Sequence, residues 1–219
     1  MTTETTRALL DSTARNLRSW LRGFCCLCCL SCFSCLLFSC SEENTTEEEF
    51  ANWQERNDAA VASWASNSAY RKILCYSKES SSTTLVNSDY IYVEVLEEGS
   101  GTECPLFTDT VRVAYRGSLI PTTSYPDGYV FDQTYTGAFN WSTAGVTDFC
   151  PSTSGLRDGF STALQNMHVG DRWRVHFSYT LGYGSTANSG IPAYSDLIFE
   201  IAVFDHWHPG EVRPAFKVR

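Results

Sequence analysis

Residues 172–179 read Arg172-Trp173-Arg174-Val175-His176-Phe177-Ser178-Tyr179. Large apolar residues alternate with polar ones along this stretch. Because successive side chains point to opposite faces of a β-strand, this period of two predicts a half-buried antiparallel strand. The same alternation recurs near the C-terminus and predicts a second strand there, with its apolar positions at Leu197, Phe199, Ile201 and Val203.

The segments before these two strands complete the prediction of a fold class. Tyr90–Leu96 and Val111–Tyr115 are rich in β-branched and aromatic residues and predict further strands. Gly159–Met167 predicts a short helix that ends before Gly170. One short helix against several antiparallel strands defines an α+β domain.

A second helix is predicted ahead of this domain, from about Thr46 to Lys72. Thr46 and Glu49 have the spacing of a capping box, and apolar residues recur near helical spacing at Phe50, Trp53, Val61 and Trp64. An amphipathic helix of this kind has two interpretations. It packs on its own domain, or it forms an arm for homodimerisation or for cradling a substrate.

The composition excludes one class of partner. The chain has 219 residues, a net charge of -9 and a sequence pI of about 4.9, and its 16 basic residues are scattered. Binding of nucleic-acid phosphates requires clustered Lys and Arg. We therefore expect no nucleic-acid partner.

The N-terminal segment predicts export and lipidation. A positively charged stretch with Arg15, Arg18 and Arg22 precedes an apolar run, Phe24–Phe38, which is shorter than the ~20 residues that span a bilayer. The run ends in Leu37-Phe38-Ser39-Cys40, which resembles a bacterial lipobox in which Cys40 is lipidated, although Phe38 is bulky for its position. The alternatives are a retained membrane anchor and a misassigned start codon. Lipidation implies an extracytoplasmic protein, anchored to the outer membrane on its periplasmic face or at the cell surface.

Conventional catalytic groups are scarce in the sequence. Cys75, Cys104 and Cys150 cannot all pair within one chain, their spacing selects no pair, and none has an evident His partner. His206-Trp207-His208 lacks a third ligand, so no metal site is predicted. An enzyme built from this chain would need chemistry without a nucleophile, a metal or a cofactor.

Isomerisation of a prolyl peptide bond is chemistry of this kind. The barrier of about 18–20 kcal/mol comes from the double-bond character of the amide. A pocket catalyses the exchange if it binds the twisted amide better than either planar form. The C-terminal half of the chain contains aromatic residues, one carboxylate and a Gly-Ile-Pro turn. These residues suit the recognition of an uncharged, apolar group such as a proline ring.

These residues carry a family resemblance. From about Tyr90 to Asp205 the chain resembles an FKBP-type peptidyl-prolyl cis-trans isomerase domain. The matching motifs, in chain order, are Val111–Gly117, Gly128–Asp132, Gly159-Phe160 with Leu164, Met167 and Val169–Asp171, then Tyr183-Gly184, Ile191-Pro192 and Leu197–Phe199. The resemblance implies an antiparallel sheet wrapped around a short helix, preceded by a helical extension.

The resemblance also implies roles for individual residues. Asp132 would lie beside the substrate carbonyl, Tyr183 would donate a hydrogen bond, and the backbone N–H of Ile191 would hold another carbonyl. The proline pocket would be lined by Tyr115, Phe131, Phe139, Trp141, Leu156, Phe160, Tyr183 and Phe199. A competing interpretation is that these aromatic residues are only core. A carboxylate beside buried rings is costly unless it is paired or functional, which favours a role for Asp132.

The sequence departs from the family pattern at the pocket. Phe160 stands where the family most often has Trp, Arg157 takes a position that is usually apolar, and Leu181 replaces a common Tyr. The loop before Phe131 is lengthened. These departures leave the fold prediction intact and put the efficiency of catalysis in question.

Together these patterns predict a lipid-anchored isomerase that acts on Xaa-Pro bonds of exported proteins and assists their folding, with no cofactor. The predicted divisions are a signal peptide (1–39), an acidic tether (40–49), a helical extension (50–86), the isomerase domain (87–207) and a tail (208–219). The first alternative is a chaperone or partner-binding module of the same fold with little turnover. A more distant alternative is a glycan-binding surface lipoprotein.

Overall fold

The computed structural model describes residues 48–79 and 84–216. Apart from the helical residues Glu48 and Glu49, these ranges form two α-helices, seven β-strands and three short 3-10 helices. In chain order they are α1 (Trp53–Ser66), β1 (Arg71–Leu74), a 3-10 helix (Tyr76–Lys78), a second (Asn87–Asp89), β2 (Tyr90–Glu97), β3 (Thr110–Ser118), β4 (Val130–Gln133), β5 (Thr147–Phe149), α2 (Asp158–Leu164), β6 (Arg172–Phe177), a third 3-10 helix (Tyr179–Leu181) and β7 (Leu197–Trp207).

The seven strands form one antiparallel sheet. The strand order is β1-β2-β6-β7-β3-β4, and β5 pairs with β3. The longest strands, β3 and β7, pair along their whole common length, from Thr110 opposite Trp207 to Ser118 opposite Ile198. This architecture confirms the predicted α+β class with an antiparallel sheet and two helices.

Helix α2 packs on the inner face of the sheet, and a glycine allows it to come close. A Cβ atom added to Gly159 would lie 2.4 Å from the ring of Phe177 in β6. The apolar side of the helix and the turn after it, Phe160, Leu164 and Met167, are fully or almost fully buried. The core therefore lies between α2 and the inward residues of β2, β3, β6 and β7.

Helix α1 packs on the outer face of the same sheet. His176 points away from the inward-facing Phe177, since neighbouring residues of a strand alternate. Its ring centroid lies 5.0 Å from that of Trp64 in α1, and Trp64 also contacts Tyr92 in β2. The buried side of α1 is thus used within its own chain, as the first interpretation of this helix expects.

The N-terminal boundary differs from the prediction in two ways. Helix α1 begins at Trp53 rather than near Thr46, which lies outside the described residues, and it ends at Ser66. The predicted helix extends to Lys72, but Arg71 and Lys72 instead begin β1, which pairs with β2. A division at residue 87 therefore cuts through the sheet, and the extension shares the core of the domain.

The predicted signal peptide and Cys40 lie outside the described residues. Neither helix in the described part of the chain is long and apolar enough to cross a membrane. Among the described cysteines, Cys75, Cys104 and Cys150 are free thiols.

Candidate active site

An aromatic floor lies between α2, β3, β5 and β7. The ring centroids of Phe160 and Phe199 are 4.9 Å apart, and Tyr115 lies 5.9 Å from Phe160 and 6.2 Å from Phe199. These three side chains are at most 8% exposed. Phe131 meets Phe199 edge-on at 5.5 Å and is only partly buried, so it lies at the rim.

A glycine in β3 permits this arrangement. A Cβ atom on Gly117 would lie 2.6 Å from the ring of Phe199 and 2.7 Å from the ring of Phe131. Real Cβ atoms do not come this close, so a larger residue would displace one of the two rings. The glycine that ends the motif Val111–Gly117 thus allows the rings of the site to pack closely.

The carboxylate at the site has a partner inside the protein. The hydroxyl of Tyr115 donates a hydrogen bond of 2.5 Å to Oδ2 of Asp132, which follows Phe131 in β4. Burial, and then the neighbouring carboxylate, raises the pKa of Tyr115 above its ordinary value, so the phenol keeps its proton. Asp132 is held at the edge of the aromatic floor, with its other oxygen free of hydrogen bonds to the described residues.

The opposite rim combines a phenol with a guanidinium. The guanidinium carbon of Arg157 lies 5.0 Å from the ring centroid of Tyr183, within the range of a cation–π contact. Arg157 also donates to the carbonyl of Gly155 at 2.9 Å. The arginine that departs from the family pattern is therefore stacked on a residue of the predicted site. Beside it, Leu156 packs partly buried against the core.

The prediction for the backbone of Ile191 is wrong for this structure. Its N–H already donates to the carbonyl of Asn188 at 2.8 Å, and the side chain is 4% exposed. The turn between these two residues closes on itself, which the sequence does not show. A different N–H is open at the rim: within the described residues, the amide of Arg157 donates no hydrogen bond.

Two residues predicted for the pocket lie elsewhere. Phe139 and Trp141 pack against Ala114 of β3 and Ala202 of β7, on the face of the sheet opposite Tyr115. Trp141 contacts Phe204 at 4.9 Å. The reason is the strand period: Ala114 and Tyr115 point to opposite faces, and small alanines leave room for rings outside.

Sequence reasoning missed one member of the floor. Phe149 in β5 lies 5.6 Å from Tyr115 and 5.4 Å from Phe160. Its strand has only three residues, which is too short to show a period of two. The pairing of β5 with β3 is the feature that brings Phe149 to the site.

The structure also pairs a cysteine with a histidine, contrary to expectation. Sγ of Cys104 lies 3.4 Å from Nε2 of His168, whose Nδ1 lies 3.5 Å from Asp171. Burial, and then the charge of Asp171, raises the pKa of the Cys104 thiol, so it is a poor source of thiolate. His206 and His208 both face Asp109, and no group in the described residues is arranged to hold a metal ion.

Comparison with known proteins identifies the family of this chain. The profile of the FKBP-type peptidyl-prolyl cis-trans isomerase family matches residues 101–204. FK506-binding protein 1A of Neurospora crassa is 30% identical over 118 residues, which cover 53% of this chain and 88% of that protein. The chain belongs to the FKBP-type peptidyl-prolyl cis-trans isomerase family.

Two further relatives and one solved structure extend the comparison. The macrophage infectivity potentiator of Trypanosoma cruzi is 35% identical over 124 residues, which cover 56% of each chain. Escherichia coli FkpA is 32% identical over 131 residues, which cover 60% of this chain and 41% of FkpA. The chain thus spans about half the length of these two relatives. A peptidyl-prolyl cis-trans isomerase from Pseudomonas syringae has the same fold, with a TM-score of 0.52 at 23% identity over 72% of this chain and 95% of that one.

Proposed function

We propose that this chain is a peptidyl-prolyl cis-trans isomerase that acts on Xaa-Pro bonds of exported proteins and assists their folding in the cell envelope. The observation that carries the proposal is the hydrogen bond between Tyr115 and Asp132 at the edge of a floor of buried rings. Apolar walls remove water from the bound imide, and a fixed carboxylate lies where the carbonyl would turn.

The rim supplies hydrogen-bond donors for the substrate. The amide of Arg157 is the donor we propose in place of Ile191, because it is unpaired and lies between Leu156 and the floor residue Phe160. The hydroxyl of Tyr183 is a second donor. Both would bind the substrate carbonyls while the C–N bond turns, so that the twisted form is bound more tightly than either planar form.

The test is the rate of cis–trans exchange of a short Xaa-Pro peptide with the purified full chain, followed by NMR exchange spectroscopy. We expect catalysis above background that Asp132→Asn and Phe131→Ala each weaken by about tenfold or more, because the first removes the fixed charge and the second removes an apolar wall. Asp127→Asn is the matched control, since this exposed carboxylate lies outside the site, and it should leave the rate unchanged. Equal rates in all variants would contradict the assignment of the site.

A binding module with little turnover is the second candidate. The occupied amide of Ile191 and the stacking of Arg157 on Tyr183 favour it, because both restrict the groups that a substrate would contact. Peptide binding without any exchange above background would establish this second function. Uncatalysed exchange takes tens of seconds, so even weak catalysis is measurable against it.

The location in the envelope rests on the N-terminal sequence, outside the described residues. We propose that Cys40 is lipidated after removal of residues 1–39 and anchors the protein to the outer membrane. Metabolic fatty-acid labelling should disappear in Cys40→Ala, and persistent labelling would refute the anchor. Unchanged levels and folding of envelope proteins in a deletion strain would refute the folding role.

Homodimerisation through α1 stays a hypothesis. The burial of Trp53, Val61 and Trp64 within one chain counts against it, because these residues would otherwise form the apolar contact. Light scattering of the purified chain gives the answer directly. A dimer that persists in Trp64→Ala would show that any such contact uses another surface.

A further inference from the structure

A cavity of about 410 Å³ adjoins the rim of the candidate active site. It lies between the loop 150–157, the outward side of α2 and the exposed ring of Phe107. Leu156 borders this cavity and also packs against the aromatic core that contains the floor of the site. The loop that carries Leu156 therefore has the candidate active site on one side and the cavity on the other.

The walls of this cavity are fixed by hydrogen bonds. Ser161 in α2 donates to the carbonyl of Pro151 at 3.1 Å, which ties the loop to the helix. Gln165 donates to the carbonyl of Ser161 at 3.0 Å. On the far side, the hydroxyl of Thr162 lies 3.1 Å from Sγ of Cys75. A cavity with walls held in this way is preorganised, so a ligand does not bear the entropy of ordering them.

The chemistry of the lining defines what it would accept. Asp158 is the only charged residue among the residues that line it; the others are mostly hydroxyl-bearing, with one amide and four apolar or aromatic side chains. Phe107 is 55% exposed, so its ring is available to a partner. Hydroxyls and an amide pair with peptide groups, while rings bury aliphatic side chains. The volume is within the range of about 300–1,000 Å³ that is usual for ligand sites.

We propose that this flanking cavity holds the uncharged residues of the client polypeptide next to the reactive proline. This inference rests on the proposed function, because continuity with the candidate active site through Leu156 is what identifies the occupant. A client whose proline ring lies on the aromatic floor would pass over Leu156 and place its next residues against Phe107. The cavity would then select clients with hydroxyl and aliphatic residues beside proline.

The test compares a short and a long substrate in two matched variants. Phe107→Ala removes a ring that lines the cavity, and Leu106→Ala removes a neighbouring side chain that is equally exposed and does not line it. The substrates are a tetrapeptide with one Xaa-Pro bond and a decapeptide in which serine, threonine and valine extend it on both sides. Exchange rates give kcat and KM for each pair, using the full chain.

We expect Phe107→Ala to raise KM for the decapeptide by roughly five- to tenfold, the usual effect of truncating an aromatic contact residue. The tetrapeptide should be unaffected, and Leu106→Ala should affect neither substrate. Equal KM values for the decapeptide in the two variants would overturn the inference, as would an equal loss with the tetrapeptide. If no variant catalyses exchange, the proposed function fails. In that case, fluorescence anisotropy of a labelled decapeptide tests the binding role of the cavity by itself. Weaker binding only in Phe107→Ala supports that role, and equal binding in both variants overturns it.

Discussion

Acid is expected to weaken this fold through one side chain, His176 of β6. Its imidazole is 5% exposed, its ring lies 5.0 Å from Trp64 and 5.1 Å from Tyr70, and neither nitrogen has a hydrogen-bond partner in the described residues. Burial, and then the charge of Arg174, lowers its pKa from 6.5 to about 4. The unfolded chain therefore takes up a proton before the folded chain does, and falling pH favours unfolding.

The size of the effect follows from the shift. A pKa lowered from 6.5 to about 4 corresponds to roughly 3 kcal/mol of unfolding free energy at full protonation. The loss begins as the pH falls through 6.5 and is complete below about 4. Between pH 7.5 and pH 4.5 this one group should cost about 2.5 kcal/mol.

Urea unfolding of the native chain and of His176→Phe at these two pH values measures this cost. Phenylalanine keeps a ring between Trp64 and Tyr70 and cannot take up a proton. Other titrating groups act in both proteins, so the difference between them isolates the imidazole. We expect similar stabilities at pH 7.5 and an advantage of about 2–3 kcal/mol for His176→Phe at pH 4.5. Parallel losses in the two proteins would show that His176 is not buried as described.

Three further changes test the core and the site. Gly117→Ala places a methyl group within 2.7 Å of two rings, so unfolding free energy should fall by about 1–3 kcal/mol in urea titrations, with a matching loss of exchange activity. Tyr115→Phe removes the hydrogen-bond donor to Asp132. It should lower kcat/KM for a Xaa-Pro peptide, while the free energy of unfolding falls by only about 1 kcal/mol. An unchanged kcat/KM would show that Tyr115 has no role in the site. Asp196 is fully buried, and burial raises its pKa from 3.8 to about 8. The unfolded chain therefore loses this proton at a lower pH than the folded chain, and stability falls as the pH rises from 3.8 towards 8. Relative to the native chain, Asp196→Asn should be more stable at pH 9 than at pH 6, and a constant difference would show that Asp196 does not titrate in this range.

Strands with several repeats of one pattern were predictable, and short elements were not. The alternation at residues 172–179 predicts β6 to within two residues, and β7 is found where its apolar positions predict. The four residues of β1 and the three of β5 carry no full repeat, so their pairing with longer strands decides their structure. At Arg71 and Lys72, pairing with β2 overrode the helical pattern of the local sequence.

Part of the candidate site was predictable from the sequence. The family resemblance places Tyr115, Phe160 and Phe199 in one pocket, and the strands and helix that carry them are also predicted by the periodicity of the sequence. Phe139 and Trp141 were misplaced, because they follow a turn after which the sequence does not say which face of the sheet they meet. The amide of Ile191 was misjudged for a different reason: hydrogen bonds within a loop depend on backbone angles that no residue type fixes.

Helix α1 has a practical consequence for anyone who shortens this chain. The indole of Trp53 donates a hydrogen bond to Ser195 at 2.8 Å, and the side chain of Asn57 accepts one from the backbone amide of Asp196 at 2.8 Å. These two hydrogen bonds hold the helix to the turn that follows Ile191. The family profile begins only at residue 101. A fragment trimmed to that match would lack α1, β1 and β2, so it would lose both hydrogen bonds and expose His176. Exchange rates measured on that fragment would be those of a damaged domain. A shortened chain should therefore begin before Trp53.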